Sequence, residues 1–189
     1  MIKRYLEDII LAHLFKKKAI ILYGARQVGK TTLVEALVKK LDKKTLLLNG
    51  DDADIRELFT NASASRLKPV INDYELVIID EAQRIPEAGL GIKIIHDNFR
   101  NVQVIVTGSS SLELAGKIKE PMTGRKYEFF LYPFSFMELS DHYGFLAEKR
   151  SLEQRLIFGC YPDVVVNTGH ETRLLKTIAS DYLYKDILS

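Results

Sequence analysis

The sequence has a single cysteine, Cys160, so no internal disulfide can staple it, and that usage suits a reducing compartment. Long apolar runs are missing. Segments such as Ala19 to Tyr23 fall far short of the roughly 20 residues that a membrane span needs. Charge of one sign is missing too: 27 Lys and Arg face 25 Asp and Glu, a formal net charge of +2. That balance gives no general drive toward nucleic acid or anionic membrane. The N-terminus shows no secretory signal, because Glu7 and Asp8 follow Lys3 and Arg4 at once. There is no internal repeat and no low-complexity stretch, and His13, His96, His142 and His170 are scattered without zinc spacing. What is present is 189 residues of ordinary globular composition, 47% hydrophobic and 28% charged. These features predict a cytoplasmic protein with its own core.

Apolar patterning predicts alternating helices and strands. Leu6, Ile9, Ile10, His13 and Leu14 share one side of a helix over residues 5–15. Residues 19–23 read as a strand apolar on both faces, as in a parallel sheet. Residues 30–41 form an amphipathic helix through Leu33, Ala36, Leu37 and Leu41. Further strands are expected at 45–48, 76–79, 102–107 and 127–131, with helices at 53–59, 62–70 and around Leu90 to Phe99. Asp51 and Asp52 are capping candidates for the helix at 53–59. Such alternation implies parallel βαβ units. From Pro133 the pattern turns helical, over 135–143, 151–158 and 171–188. The division expected is therefore a core over 1–133 and a helical extension, or the start of a following domain, over 134–189. The apolar stripe of the last helix runs through Ile187 and Leu188 without a cap, which suggests a chain cut from a longer protein.

Between the first strand and the next helix, Gly24-Ala25-Arg26-Gln27-Val28-Gly29-Lys30-Thr31 matches G-x-x-x-x-G-K-S/T at every fixed position. Glycines let successive N–H groups turn inward around a phosphate, and the helix that follows presents its positive dipole end. Lys30 would reach the β- and γ-phosphates, Thr31 would bind Mg²⁺, and Thr32 would lie near the α-phosphate. The third strand runs straight into Asp80 and Glu81. Unpaired charge at the end of a buried strand is costly, so this pair reads as functional. Asp80 is the second candidate for Mg²⁺, and Glu81 the candidate general base for an attacking water. The fourth strand ends in Thr107-Gly108-Ser109-Ser110-Ser111, where Ser109 or Ser110 would sense the γ-phosphate. The alternative for either serine is helix capping.

In this order these motifs resemble the AAA-type branch of P-loop ATPases. They are closer still to one archaeal and bacterial family with an N-terminal AAA domain and a C-terminal domain of poorly defined role. Thr32, Ile79-Asp80-Glu81-Ala82-Gln83, Gly124-Arg125, Leu131-Tyr132-Pro133-Phe134-Ser135-Phe136 and Gly159-Cys160-Tyr161-Pro162 carry the resemblance beyond the phosphate loop. It implies a three-layer α/β sandwich with a parallel sheet of order 5-1-4-3-2, and ATP as the nucleotide. The absence of an Asn-Lys-x-Asp guanine-reading motif agrees. Gly50, where a non-glycine is expected, is a departure.

Arg125 is expected near the phosphate-proximal edge of the sheet, where it would meet charge developing on the transferred phosphoryl group, in its own chain or in a neighbour's. Arg84 is its rival, with a surface ion pair as the alternative for both. Asp51, Asp52 and Asp54 lack the pattern of a calcium loop. Phe129, Phe130, Tyr132, Phe134 and Phe136 read as core or interdomain packing. The function expected is Mg²⁺-dependent ATP hydrolysis, coupled to a partner, to another copy of the chain or to a further domain. The alternatives are an ATP-binding switch with negligible turnover and an ATP-dependent DNA-binding protein.

Overall fold

The computed structural model describes residues 1–109, 118 and 121–186, with the backbone alone over 181–186. Helix α1 (Tyr5–His13) leads to β1 (Ala19–Gly24), α2 (Lys30–Leu41), β2 (Thr45–Asn49), α3 (Ala53–Phe59), α4 (Ala64–Ile71) and β3 (Leu76–Asp80). A 3₁₀ turn (Ala82–Arg84), α5 (Ala88–Asn98), β4 (Gln103–Gly108) and β5 (Lys126–Leu131) complete the core. Among the described residues these strands form one parallel sheet in the order β2-β3-β4-β1-β5. This is the expected order read from the other edge.

Side-chain alternation along each strand divides the interior in two. Ile21, Tyr23, Val77, Ile79, Val104 and Val106 face α3, α4 and α5, where Phe59, Leu67, Ile71, Ile92 and Ile95 cover them. Ile20, Leu22, Leu76, Ile78 and Ile105 face α1 and α2, against Ile10, Leu33 and Leu37. Each fully buried Ile or Leu contributes about 1.5–3 kcal/mol, so the central strands anchor the fold. The register matters more for function. Tyr23 lies opposite Gly108, Gly24 opposite Leu131, and Asn49 opposite Asp80. All strands run the same way, so every segment that follows a strand emerges at one edge of the sheet.

Beyond β5 the chain is helical: α6 (Phe136–Tyr143), α7 (Phe145–Arg150), α8 (Leu152–Phe158), α9 (Pro162–Val166) and α10 (Glu171–Asp186). Ser135 and Glu138 cap α6 reciprocally, each side chain accepting from the other's backbone N–H. The extension packs on the first residues of the chain. Ile2, Leu139 and Val165 form a small cluster with Phe134 and Cys160. Arg4 lies 3.3 Å from the Glu138 carboxylate, stacks over the Phe134 ring at 4.4 Å and donates to the Tyr132 carbonyl.

Both members of the Arg4–Glu138 pair are nearly buried, with side chains 10% and 7% exposed. Removing one partner of such a pair leaves an uncompensated buried charge. Arg4→Met is therefore expected to lower unfolding free energy by about 3 kcal/mol, read as a fall in the urea midpoint.

The structure corrects one expectation here and adds two observations. Asp52 occupies the N-cap position of α3, but its side chain makes no cap bond, and the Asp51 carboxylate pairs with Arg84 instead. The short helices α7 and α9 were not anticipated. The aromatic run is only partly packed: Phe129 joins the α1–α2 face and Phe134 the extension, whereas Phe130 and Tyr132 are exposed on and after an edge strand.

Candidate functional site

The phosphate loop is shaped by two glycines with different tasks. Gly29 has φ +97°, in the left-handed region that glycine enters without strain. Gly24 is needed for proximity, because a Cβ there would lie 2.7 Å from the Leu131 carbonyl oxygen. Lys30, first residue of α2, is only 6% exposed, and its Nζ donates to the carbonyls of Gly24 and Ala25 at 2.9 Å each. Burial depresses its proton affinity; Glu81 and Asp80 oppose that effect, and Arg26 adds to it.

Register brings the acidic pair beside this loop. The Asp80 carboxylate accepts from the Thr31 hydroxyl at 3.2 Å, from the Glu81 N–H at 3.0 Å and from the Thr107 hydroxyl. Thr31 and Asp80 thus present oxygen donors side by side, the hard set that Mg²⁺ prefers. Thr107, at the end of β4, orients the Asp80 carboxylate, a role for which the sequence names no residue.

Glu81 has φ 51° and ψ 41°, a left-handed backbone that costs a non-glycine residue about 1–3 kcal/mol. Neighbours hold it there. Its carbonyl accepts from Arg84 N at 3.0 Å and lies where a Cβ on Gly50 would be, at 2.4 Å. Gly50 is therefore required by this approach: any larger residue after Asn49 would displace Glu81. The Gly50 N–H donates to Asp80 O at 2.8 Å. Gln83 donates its side-chain amide to the Glu81 carboxylate.

A cleft of about 470 Å³ opens over these groups. Arg26, Lys30, Thr31, Asp51, Glu81 and Arg84 are among the residues that line it. Pro162 and Asp163, at the start of α9, line it from the extension. Pro162 approaches the phosphate loop closely, 3.9 Å from the place of a Cβ on Gly29. Arg84 is on the cleft, with its Nε 2.6 Å from Asp51. Ser109 borders the site through its N–H, which donates to Gln83 at 3.2 Å. Ser110 and Ser111 lie outside the described residues. Cys160 is not an activated thiol, since burial raises its proton affinity above the usual value. Among the described residues no cluster of three metal-ligating side chains marks a further metal site, and no helix is long and apolar enough to cross a membrane.

Arg125 lies elsewhere, which corrects the expectation of a phosphate-proximal position. Its carbonyl accepts from Ala19 N at 2.9 Å, at the start of β1, and its Nε pairs with Asp97 at 2.9 Å. A residue that precedes a parallel strand occupies the edge opposite to residues that follow one. At about 3.3 Å per residue, the strand length puts Arg125 about 20 Å from the phosphate loop, beyond reach of its own cleft.

The sheet order and the loop at the end of β1 define a P-loop NTPase fold. A family model described as "AAA domain" matches residues 16–140, and the chain belongs to that family. It is 22% identical over 191 residues to the uncharacterized protein MJ1544 of Methanocaldococcus jannaschii, covering 93% of this chain and 43% of that protein. To MJ1637 of the same organism it is 26% identical over 184 residues, covering 91% and 36%. The chain thus spans less than half the length of these relatives.

Among solved structures, the Walker-type ATPase PABY2304 of Pyrococcus abyssi superposes with a TM-score of 0.62 at 18% identity, covering 94% of this chain and 71% of that one. The Orc1 protein of Aeropyrum pernix, in complex with DNA, gives 0.52 at 16% identity, covering 81% and 50%. The Holliday junction branch migration motor RuvB of Thermotoga maritima gives 0.50 at 16%, covering 81% and 52%. These likenesses are in fold.

Proposed function

We propose that the chain is a Mg²⁺-dependent ATPase domain that couples its nucleotide state to a partner, to another copy or to a further domain. The observation that carries this reading is that Lys30, Thr31 and Glu81 line one cleft, while Asp80 behind them accepts from both Thr31 and Thr107, groups that come from strand ends far apart in sequence. The backbone from Gly24 to Thr32 cradles the phosphates. Lys30, now turned onto the Gly24 and Ala25 carbonyls, transfers its donors to the β- and γ-phosphates. Thr31 and Asp80 hold the metal ion, which when bound neutralises charge on those phosphates. Glu81, beside the metal ligand and fixed in its strained turn, accepts a proton from the attacking water. Ser109 and Ser110 stay candidates for contact with the γ-phosphate. The extension over 134–189 contributes Pro162 and Asp163 to the cleft, so the division after residue 133 separates segments of chain that share one site.

Placement supports a role for Arg125 in trans. An arginine at the far end of the sheet cannot serve its own cleft; freed from Asp97, it would counter charge on the phosphoryl group transferred in another copy's cleft. Arg84 is the cis candidate, already in the cleft and released from Asp51 when phosphate competes for it. The test is Mg²⁺-dependent phosphate release measured against protein concentration. Wild-type turnover per chain is expected to rise with concentration, and Arg125→Ala to flatten that rise and lower the plateau by about 10³-fold or more. Turnover per chain that is independent of concentration and unchanged in Arg125→Ala would assign the role to Arg84 instead.

A further inference from the structure

Gln83 has no part in the functional reading so far, yet its side chain spans two elements of the site. One end of the amide meets the Glu81 carboxylate, and the other meets the Ser109 N–H at 3.2 Å. Chemistry fixes which end is which. A carboxylate only accepts and a backbone N–H only donates, so Nε2 must face Glu81 and Oε1 must face Ser109. Gln83 also belongs to the 3₁₀ turn whose first N–H bonds, Arg84 N to Glu81 O and Ile85 N to Ala82 O, fix its position relative to Glu81. Its reach is thus set by the same turn that strains the Glu81 backbone.

We infer that Gln83 is a positioning residue for Glu81: it orients the carboxylate and links it to the end of β4. The inference rests on Glu81 as the proton acceptor. The backbone of Glu81 is held by Gly50 and Arg84, but those contacts leave the side-chain torsions open. A donor on one carboxylate oxygen restricts them and leaves the other oxygen available to a water. The link to Ser109 adds a second consequence. The end of β4 lies beside Asp80 through Thr107, so a displacement there when phosphate binds is carried to Glu81 by one side chain.

Two measurements on the whole chain test this. In the nucleotide-free protein, the Gln83 side-chain amide resonances are recorded by NMR in wild type and in Glu81→Gln, and the Ser109 backbone amide in wild type and in Gln83→Ala. Both pairs are expected to shift well beyond the change at distant amides. In steady-state kinetics, Gln83→Ala is expected to lower kcat about 10- to 100-fold with KM for ATP nearly unchanged, and to add nothing in the Glu81→Gln background. A Gln83 amide that does not sense Glu81→Gln, or a kcat unaffected by Gln83→Ala, overturns the positioning role alone. A Gln83→Ala loss that persists in the Glu81→Gln background, with KM raised, shows a merely structural residue. Turnover in Glu81→Gln equal to wild type overturns the proton-acceptor reading itself, whatever the resonances show.

Discussion

Glu81→Gln is expected to reduce ATP turnover by about 10²- to 10⁴-fold, the usual worth of a positioned general base. Nucleotide affinity should change little. The substitution keeps the shape of the side chain, so Gly50, Arg84 and Gln83 still find their contacts, and only the capacity to take a proton is lost. The phosphate cradle and the Thr31–Asp80 pair are untouched. Steady-state phosphate release, paired with equilibrium binding of a fluorescent ATP analogue, separates the two effects. Tight binding with no turnover in wild type and variant alike would favour a nucleotide-held switch over an enzyme.

Lys30→Ala is expected to strike binding as well. In the free protein the ammonium is buried and, among the described residues, donates to two carbonyls. A triphosphate replaces those neutral acceptors with charged ones, and each charge-assisted bond is worth about 1.5–3 kcal/mol. Its loss therefore weakens ATP about 10- to 150-fold, measurable by titration calorimetry, before any effect on the chemical step. The depressed proton affinity of Lys30 gives this interaction a pH dependence with a definite sign. The free protein releases the Lys30 proton at lower pH than an ordinary lysine does, and bound phosphates restore it. Affinity should therefore fall as pH rises through the free-state value, with proton uptake on binding. Stability of the unliganded fold runs the other way over that interval, because the unfolded chain holds the proton more tightly. In Lys30→Ala both dependences should vanish.

Much of this site could be read before any coordinates, for a physical reason. A phosphate loop and an acidic strand end are local: their spacing, the apolar strand before each and the helix after the first are all contiguous. The strands that carry them are apolar on both faces, so their positions were plain. What escaped depends on who meets whom across the sheet. Thr107 and Asp80 are 27 residues apart, and Pro162 is farther still from Gly29. Asp51 looked like a helix cap because capping is local, whereas its partner Arg84 arrives from another strand end. Gly50 looked like a departure for the same reason, since the Glu81 carbonyl that excludes a side chain there is 31 positions along. Arg125 differs from these. Parallel strands and a position just before β5 already implied the far edge. The short helices α7 and α9 gave no periodic signal, because Phe145, Leu146 and Val166 are exposed and pattern reading expects apolar residues inside.

The position of Arg125 has a genetic consequence on the proposed reading. If the cation that completes a cleft comes from another molecule, activity is a property of the contact between chains, and each contact joins unlike faces of two copies. A chain without Arg125 keeps a sound cleft but disables its neighbour's. A chain without Lys30 has a dead cleft but still donates its arginine. Mixed, the two defective chains should recover activity wherever a sound cleft meets a sound donor. Co-expressed with wild type, the Arg125 variant should silence only the contacts to which it donates, so activity falls in proportion to its share of the chains.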